Sequence, residues 1–326
     1  VRAAHITQHG APPELVDIPE PVPGPSQALI AVTAAPITPL DILCATGTSY
    51  FGPPALPYVP GVQGVGTVVT SPLHEPGIRV WFPTSAGMAP GDGALAERAV
   101  ADAADLVPIT ADVPDTLVAA LGYSAIAAWM SLTWRGGLVA GERVLVLGAG
   151  GVVGQVALQC ARLLGASAVY AACRSDSAVA TAESLGADGI VRLSDDDQVD
   201  DLAAQIRAVT GGPIDLVIDP LCGVPATAAA QCLAPGGRLV NLGSSAGTEA
   251  SFTSALLRGA SQSILGYTNN SLTSDQRRAA LDVLVGHAAS HGLTVAHEVV
   301  PYAHTAAGWR RQAIGVNDRR FVVDLT

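Results

Sequence analysis

Between Arg143 and Arg174 the chain carries residue types whose order and spacing suit the binding of a pyrophosphate. The apolar run Val144-Leu145-Val146-Leu147 fits a buried parallel strand, and Gly148-Ala149-Gly150-Gly151-Val152-Val153-Gly154 follows it directly. Glycines at such a place let the chain turn sharply and bring its backbone against a ligand. Gln155, Val156, Leu158, Gln159, Ala161, Arg162 and Leu163 continue as an amphipathic helix that Gly165 closes. A helix starting there aims its first N–H groups and the positive end of its dipole at the turn, where an anion is held. A second strand, Ala168-Val169-Tyr170-Ala171-Ala172, then leads into Cys173-Arg174-Ser175. Strand, turn, helix and strand within about thirty residues form the pattern of a dinucleotide site.

The end of the second strand refines the ligand. NAD-specific folds place an Asp or Glu about twenty residues past the glycines, on the ribose 2′-hydroxyl. Here no carboxylate occurs before Asp176. An uncharged residue followed by arginine suits a 2′-phosphate, because the guanidinium fork matches phosphate geometry and no anion repels it. NADPH is therefore favoured over NADH, with Arg174 as a solvated loop residue the bland alternative. The candidate cofactor-binding residues are Gly148, Ala149, Gly150, Gly151, Val152, Val153 and Gly154 at the turn, with Cys173, Arg174 and Ser175 at the strand end. Cys173 is read as a redox-sensitive thiol or, by default, an inert small residue.

These residues need a sheet to carry them. Gly189-Ile190-Val191, Asp215-Leu216-Val217-Ile218-Asp219 and Arg238-Leu239-Val240-Asn241-Leu242 are apolar strands separated by helical segments, and Ser263-Ile264-Leu265-Gly266 adds a last one. That alternation implies βαβ crossovers and a doubly wound parallel sheet. Up to about Val113 the chain differs, with frequent Pro and Gly between short runs such as Ala28-Leu29-Ile30-Ala31-Val32 and Arg79-Val80-Trp81-Phe82. Recurring turn signals there predict a compact, barrel-like β domain. Residues 274–290 read as a helix with Ser274 as N-cap, and Phe321-Val322-Val323-Asp324-Leu325 as a final strand that rejoins the first domain. The predicted order is a first domain over 1–118, a dinucleotide-binding domain over 119–264, and a return to the first domain over 265–326.

Composition narrows the function. At 326 residues the chain has room for two domains with ample cores. A formal net charge of −11 and the absence of lysine argue against nucleic acid as a partner and remove Schiff-base chemistry. Cys44, Cys160, Cys173, Cys222 and Cys232 are scattered with no Cys-x-x-Cys pair, so neither a disulfide framework nor a clustered zinc site is indicated. His287 and His291 stand at i,i+4 without a third ligand nearby. The uncharged stretch Thr116 to Trp134 is read as a buried helix between the domains rather than a membrane span. The opening Val1-Arg2-Ala3-Ala4-His5-Ile6 lacks a continuous apolar core, so no leader is expected and the chain is placed in the cytoplasm. The acidic residues Asp195, Asp196, Asp197, Asp200 and Asp201 read as a solvated turn and helix start.

With these elements in view, the chain resembles the medium-chain dehydrogenase/reductase superfamily, in its zinc-independent quinone oxidoreductase and enone reductase branch. The resemblance runs through Pro36-Ile37-Thr38-Pro39-Leu40-Asp41, Pro57-Tyr58-Val59-Pro60-Gly61-Val62-Gln63-Gly64-Val65-Gly66 and Gly93-Ala94-Leu95-Ala96-Glu97. It continues through Gly141-Glu142-Arg143 with the glycine turn, Gly243-Ser244-Ser245-Ala246-Gly247 and Leu265-Gly266-Tyr267-Thr268. It implies an α/β fold in which a Rossmann sheet accompanies a GroES-like, β-barrel-type catalytic domain, and a homodimer paired through an edge at 261–267. Zinc alcohol dehydrogenases of this superfamily place Cys where Thr38 stands and Gly-His-Glu where Gly61-Val62-Gln63 stands. Thr and Val cannot replace those ligands, and Cys44 is the only cysteine before Cys160, so no metal is expected. Two departures stand out: quinone reductases often carry Asn where Thr38 is found, and the first Rossmann glycine falls on Ala149.

Without zinc, the chemistry the resemblance implies is hydride transfer from NADPH to an electrophilic acceptor, a quinone or an α,β-unsaturated carbonyl. The enolate so formed needs hydrogen-bond donors and a proton. Tyr50, in a loop resembling one that carries a Tyr near the nicotinamide in related enoyl reductases, is the catalytic candidate, with a wall of the pocket as its other reading. Thr38, Tyr123 and Tyr267 are the remaining pocket candidates, and Ser244 and Ser245 match the loop that meets the nicotinamide carboxamide. Asp41 reads as a structural hydrogen-bonding residue, and Asp219 as either a ligand-edge residue or a cap. An enoyl-thioester or polyketide-type enone reductase is the nearest alternative, and a cofactor-binding redox sensor or structural protein with little catalysis is the alternative from another class.

Overall fold

In the computed structural model, which describes residues 1–315 and 318–326, the apolar runs pair into three sheets. The chain divides into two units, one of Val1–Gly122 with Thr273–Thr326 and one of Tyr123–Leu272. In the first, β1 (Arg2–His5) and β2 (Glu14–Asp17) form an antiparallel pair. β3 (Gln27–Ile37), β4 (Gln63–Thr70), β5 (Arg79–Pro83), β6 (Arg98–Asp102) and β7 (Val107–Pro108) build most of a seven-stranded sheet. β3 buries almost every side chain because it has neighbours along its whole length. β4 and β6 pair with it, and so does a strand from the far end of the chain. Ile30, Ile37, Phe82, Leu95, Leu106 and Phe321 fill the core beneath.

The second unit holds a six-stranded parallel sheet of β8 (Arg143–Leu147), β9 (Ala168–Cys173), β10 (Gly189–Arg192), β11 (Ile214–Asp219), β12 (Leu233–Asn241) and β13 (Ser263–Gly266). Its order, β10-β9-β8-β11-β12-β13, reverses between β8 and β11. In such sheets a ligand lies outside the carboxyl ends of the strands at that reversal. Leu145, Leu147, Leu202, Ile206, Val217 and Leu239 form the core that holds the strands in place. The chain then returns to the first unit, where β14 (His297–Pro301) pairs with β15 (Arg320–Asp324), and β15 lies antiparallel to β3 with Phe321 opposite Ile37.

The borders fall a few residues beyond those drawn at 118/119 and 264/265. The helix Asp115–Met130 runs through the first border and kinks at Gly122 (φ 33°, ψ −132°), and β13 stays paired with β12 in the parallel sheet. A Cβ at Gly122 would lie 2.2 Å from Gln63 Oε1, the atom that accepts the Trp81 indole N–H at 3.0 Å. The segment Asp115–Arg135 is long and apolar enough to cross a membrane, but 67% of its most apolar window is buried in the protein. One cap differs from expectation. Thr273, not Ser274, caps the helix Ser274–His291, exchanging hydrogen bonds with Gln276 in a capping box, while Ser274 bonds Asp105. Of the pair His287 and His291, the side chain of His291 lies outside the described residues.

One ion pair ties the lower ends of the parallel strands together. Arg238 on β12 donates to both carboxylate oxygens of Glu142 at 2.7 Å, and the Val139 N–H donates to the same group at 2.8 Å. Burial pushes the Glu142 carboxyl up, but Arg238 and Val139 outweigh it and hold the group below its ordinary value. A carboxyl lowered in the folded state contributes stability that is present above its unfolded value and lost as pH falls through the folded one. Glu142→Gln is therefore expected to cost about 1–3 kcal/mol at pH 7. Urea unfolding at pH 7 and in acid checks this, since the gap between the two proteins should close below about pH 4.

Candidate functional site

The glycine turn is built as its sequence requires. Gly148 adopts φ 62°, which reverses the chain at the end of β8, and the Ala149 N–H donates to Ala172 O at 3.0 Å, tying the turn to β9. At Gly154 a Cβ would lie 2.4 Å from Gly148 O and 2.5 Å from Ala149 Cα, so only glycine lets the helix Val152–Leu163 start this close to the turn. Gly151 is different, because a Cβ there meets only Gly148 O at 3.5 Å. Its missing side chain leaves open space at the helix start, where Gly151 is an N-cap with no side-chain acceptor. The N–H groups of Val152, Val153 and Gly154 precede the first intrahelical bond, from Gln155 N to Gly151 O at 2.9 Å. Gln155 itself is buried and donates to Gly150 O at 2.8 Å, bracing the turn. This cradle fits a dinucleotide pyrophosphate.

At the end of β9, Cys173 is buried and its thiol is pushed up by that burial, which suits the inert reading. Arg174 is exposed and pairs with Asp195 at 2.5 Å. Ser175 caps the helix Asp176–Ser184 by accepting from Ala178 N at 3.2 Å.

The nicotinamide-loop candidates sit at the carboxyl ends of β11 and β12. Asp219 is fully buried, and burial pushes its carboxyl up. The Leu221 and Cys222 N–H groups donate to its Oδ1 at 3.0 and 2.8 Å, and Asn241 Nδ2 to its Oδ2 at 2.8 Å. Asn241 also donates to Gly243 O at 2.8 Å, and the Ala246 N–H donates to Leu221 O at 2.8 Å. Asp219 and Asn241 thus lock the 220–223 and 243–246 loops to one another and leave Ser244 and Ser245 exposed. Cys222 lies in this lock at φ 59°, ψ −157°, a conformation that strains a residue with a side chain. Sequence reasoning missed it, and its only signal was Gly223 beside it.

In the first unit, Asp41 organises the polar centre. Its carboxylate accepts from Thr38 N at 2.8 Å, Thr38 Oγ1 at 2.6 Å, and Gly61 N and Val62 N at 3.0 Å each. Burial pushes it up, and those donors act against the burial. Thr38 spends its hydroxyl proton on Asp41 and accepts from the Asp41 N–H at 3.2 Å as N-cap of the helix Pro39–Thr46. Arg320, 3% exposed, donates to Ile37 O at 3.2 Å. Its pKa is lowered to about 10 by burial, with the Asp41 charge acting the other way. Tyr50 is 80% exposed, with its ring 4.2 Å from that of Phe51.

The other two tyrosines are linked through the second unit. The Tyr267 hydroxyl donates to Asn269 Oδ1 at 2.6 Å, and Asn269 Nδ2 donates to Tyr123 O at 3.1 Å. Burial raises the Tyr267 phenol well above its ordinary value. Its side chain therefore acts as a neutral donor already committed to Asn269.

A parallel sheet that reverses beside a glycine turn is a dinucleotide-binding type of architecture, and a β unit closed by the returning tail accompanies it. Residues 24–111 match the alcohol dehydrogenase GroES-like domain family and residues 152–286 the zinc-binding dehydrogenase family. The chain is 32% identical over 308 residues, 93% of its length, to a phenolphthiocerol/phthiocerol polyketide synthase of Mycobacterium tuberculosis, yet spans only 14% of that protein. It is 28% identical over 284 residues to the quinone oxidoreductase of Homo sapiens, covering 85% of this chain and 82% of that one. The quinone oxidoreductase of Thermus thermophilus, solved also in complex with NADPH, superposes with a TM-score of 0.81 at 26% identity over the whole of both chains. The two matched families, one for each unit, place the chain in the medium-chain dehydrogenase/reductase superfamily.

At the positions where zinc alcohol dehydrogenases of this superfamily carry ligands, other residue types stand and are otherwise engaged. Thr38 is committed to Asp41, Val62 is apolar, and the Gln63 amide accepts from Trp81. Among the described residues no group of three or more His, Cys, Asp and Glu stands ready for a metal ion.

Proposed function

We propose that this chain binds NADPH and reduces a quinone or an α,β-unsaturated carbonyl without a metal. The observation that carries the reading is the glycine cradle followed, at the end of β9, by Arg174 where an NAD-specific site needs a carboxylate. The NADPH complex of the Thermus thermophilus relative supports it. When bound, the reduced nicotinamide supplies the hydride. The Val152, Val153 and Gly154 N–H groups hold the pyrophosphate, Arg174 takes the 2′-phosphate, and the lock made by Asp219 and Asn241 positions Ser244 and Ser245 for the carboxamide. Thr38 turns its proton inward to Asp41, so it shapes the pocket rather than stabilising an enolate. Tyr50, with an exposed side chain, is the proton-donor candidate, and Tyr123 and Tyr267 are pocket walls.

The 32% identity to a polyketide synthase over nearly the whole of this chain favours a second reading, reduction of an enoyl thioester. Oxidation of NADPH, with NADH in parallel, against quinones, enones and enoyl thioesters in the presence of EDTA tests both. Turnover that survives chelation and prefers NADPH is the expected result. An enoyl thioester as the best acceptor selects the second reading, and NADPH binding without turnover on any acceptor points to a sensor. Turnover abolished by EDTA and restored by zinc would sink the metal-free mechanism.

A further inference from the structure

We propose that Arg192 is the second half of a two-arginine clamp that selects a 2′-phosphorylated cofactor, with Asp176 and Asp195 as its internal counter-charges. The inference rests on the NADPH reading above and assigns a residue to it that lies outside the glycine-turn segment. Arg192 ends β10, and the parallel register of β10 with β9 sets it opposite Cys173, one residue before Arg174. Two guanidinium-bearing residues, one ending β10 and one just past the end of β9, therefore stand at the sheet edge where the adenosine ribose of a dinucleotide lies. The Arg192 charge reaches the end of β9, where it partly offsets the effect of burial on the Cys173 thiol.

Neither arginine is idle. Arg174 pairs with Asp195 at 2.5 Å and Arg192 with Asp176 at 2.6 Å. Both carboxylates are highly exposed, at 83% and 96%, so each is well hydrated and easily replaced. A 2′-phosphate brings close to two negative charges and three strong acceptor oxygens, enough to engage both forks at once where each carboxylate serves one. A 2′-hydroxyl brings no charge and leaves both carboxylate pairs intact. The clamp thus separates the two cofactors by what displaces the aspartates.

The test is calorimetric binding of 2′,5′-ADP and 5′-AMP to the whole chain and to Arg192→Gln, Arg174→Gln and Asp195→Asn. Arg192→Gln is expected to weaken 2′,5′-ADP about 10- to 100-fold and to move 5′-AMP less than about twofold. Asp195→Asn, which frees Arg174, is expected to tighten 2′,5′-ADP and not 5′-AMP. If Arg174→Gln weakens 2′,5′-ADP while Arg192→Gln does not, the clamp is overturned and the NADPH reading stands. If the unmodified chain binds 5′-AMP as tightly as 2′,5′-ADP, both fall together. Arg192 is half-exposed, and equal melting temperatures of the variants would show that the change is one of recognition.

Discussion

A Gly154→Val protein is expected to lose NADPH affinity by at least about 100-fold. The new Cβ would sit 2.4 Å from Gly148 O and 2.5 Å from Ala149 Cα, and both are backbone atoms with no rotamer to retreat into. Either the turn opens or the helix start moves away, and each displaces the N–H groups proposed above to hold the pyrophosphate. Gly151→Ala is the control, since its Cβ makes only an ordinary 3.5 Å contact. It should fold like the parent and lose affinity only when the cofactor competes for that space. Titration of NADPH by fluorescence, alongside thermal unfolding, separates the two. A Gly154→Val protein that binds as the parent does would move the pyrophosphate away from this turn.

Asp41→Ala is expected to destabilise the first unit by about 3–5 kcal/mol, because several buried donors lose their acceptor at once. It strips the acceptor from the Thr38, Gly61 and Val62 N–H groups and from the Thr38 hydroxyl. Buried donors left without acceptors are costly. Asp41→Asn, which keeps one acceptor oxygen for these donors, should lose less. Urea denaturation measures the three proteins. A loss below about 1 kcal/mol for Asp41→Ala would show that water replaces the carboxylate and that the loop at 61–62 is held by other contacts.

The elements whose logic is local were readable from the residues in order. The glycine turn needs positive φ at Gly148 and no Cβ at Gly154, and both demands are visible as glycine in the chain. The parallel strands were visible as apolar runs between helical patterns, because burial on both faces requires continuous Val, Leu and Ile. Thr273 was missed as a cap because Ser274 beside it has the same chemistry. Only the helix start, and Asp105 brought to Ser274 by the fold, tells them apart.

The sequence by itself determined the fold class and the place of the glycine turn, since each depends on residue types within a short span. Tertiary structure alone decided where the hydroxyl of Thr38 spends its proton, what Asp41 holds, and that Tyr267 donates to Asn269. It also decided that Arg192, a full helix and strand beyond Arg174 in the chain, stands beside the end of β9. Strand register and burial set these pairings, and both arise from contacts between segments far apart in sequence, which no local spacing encodes.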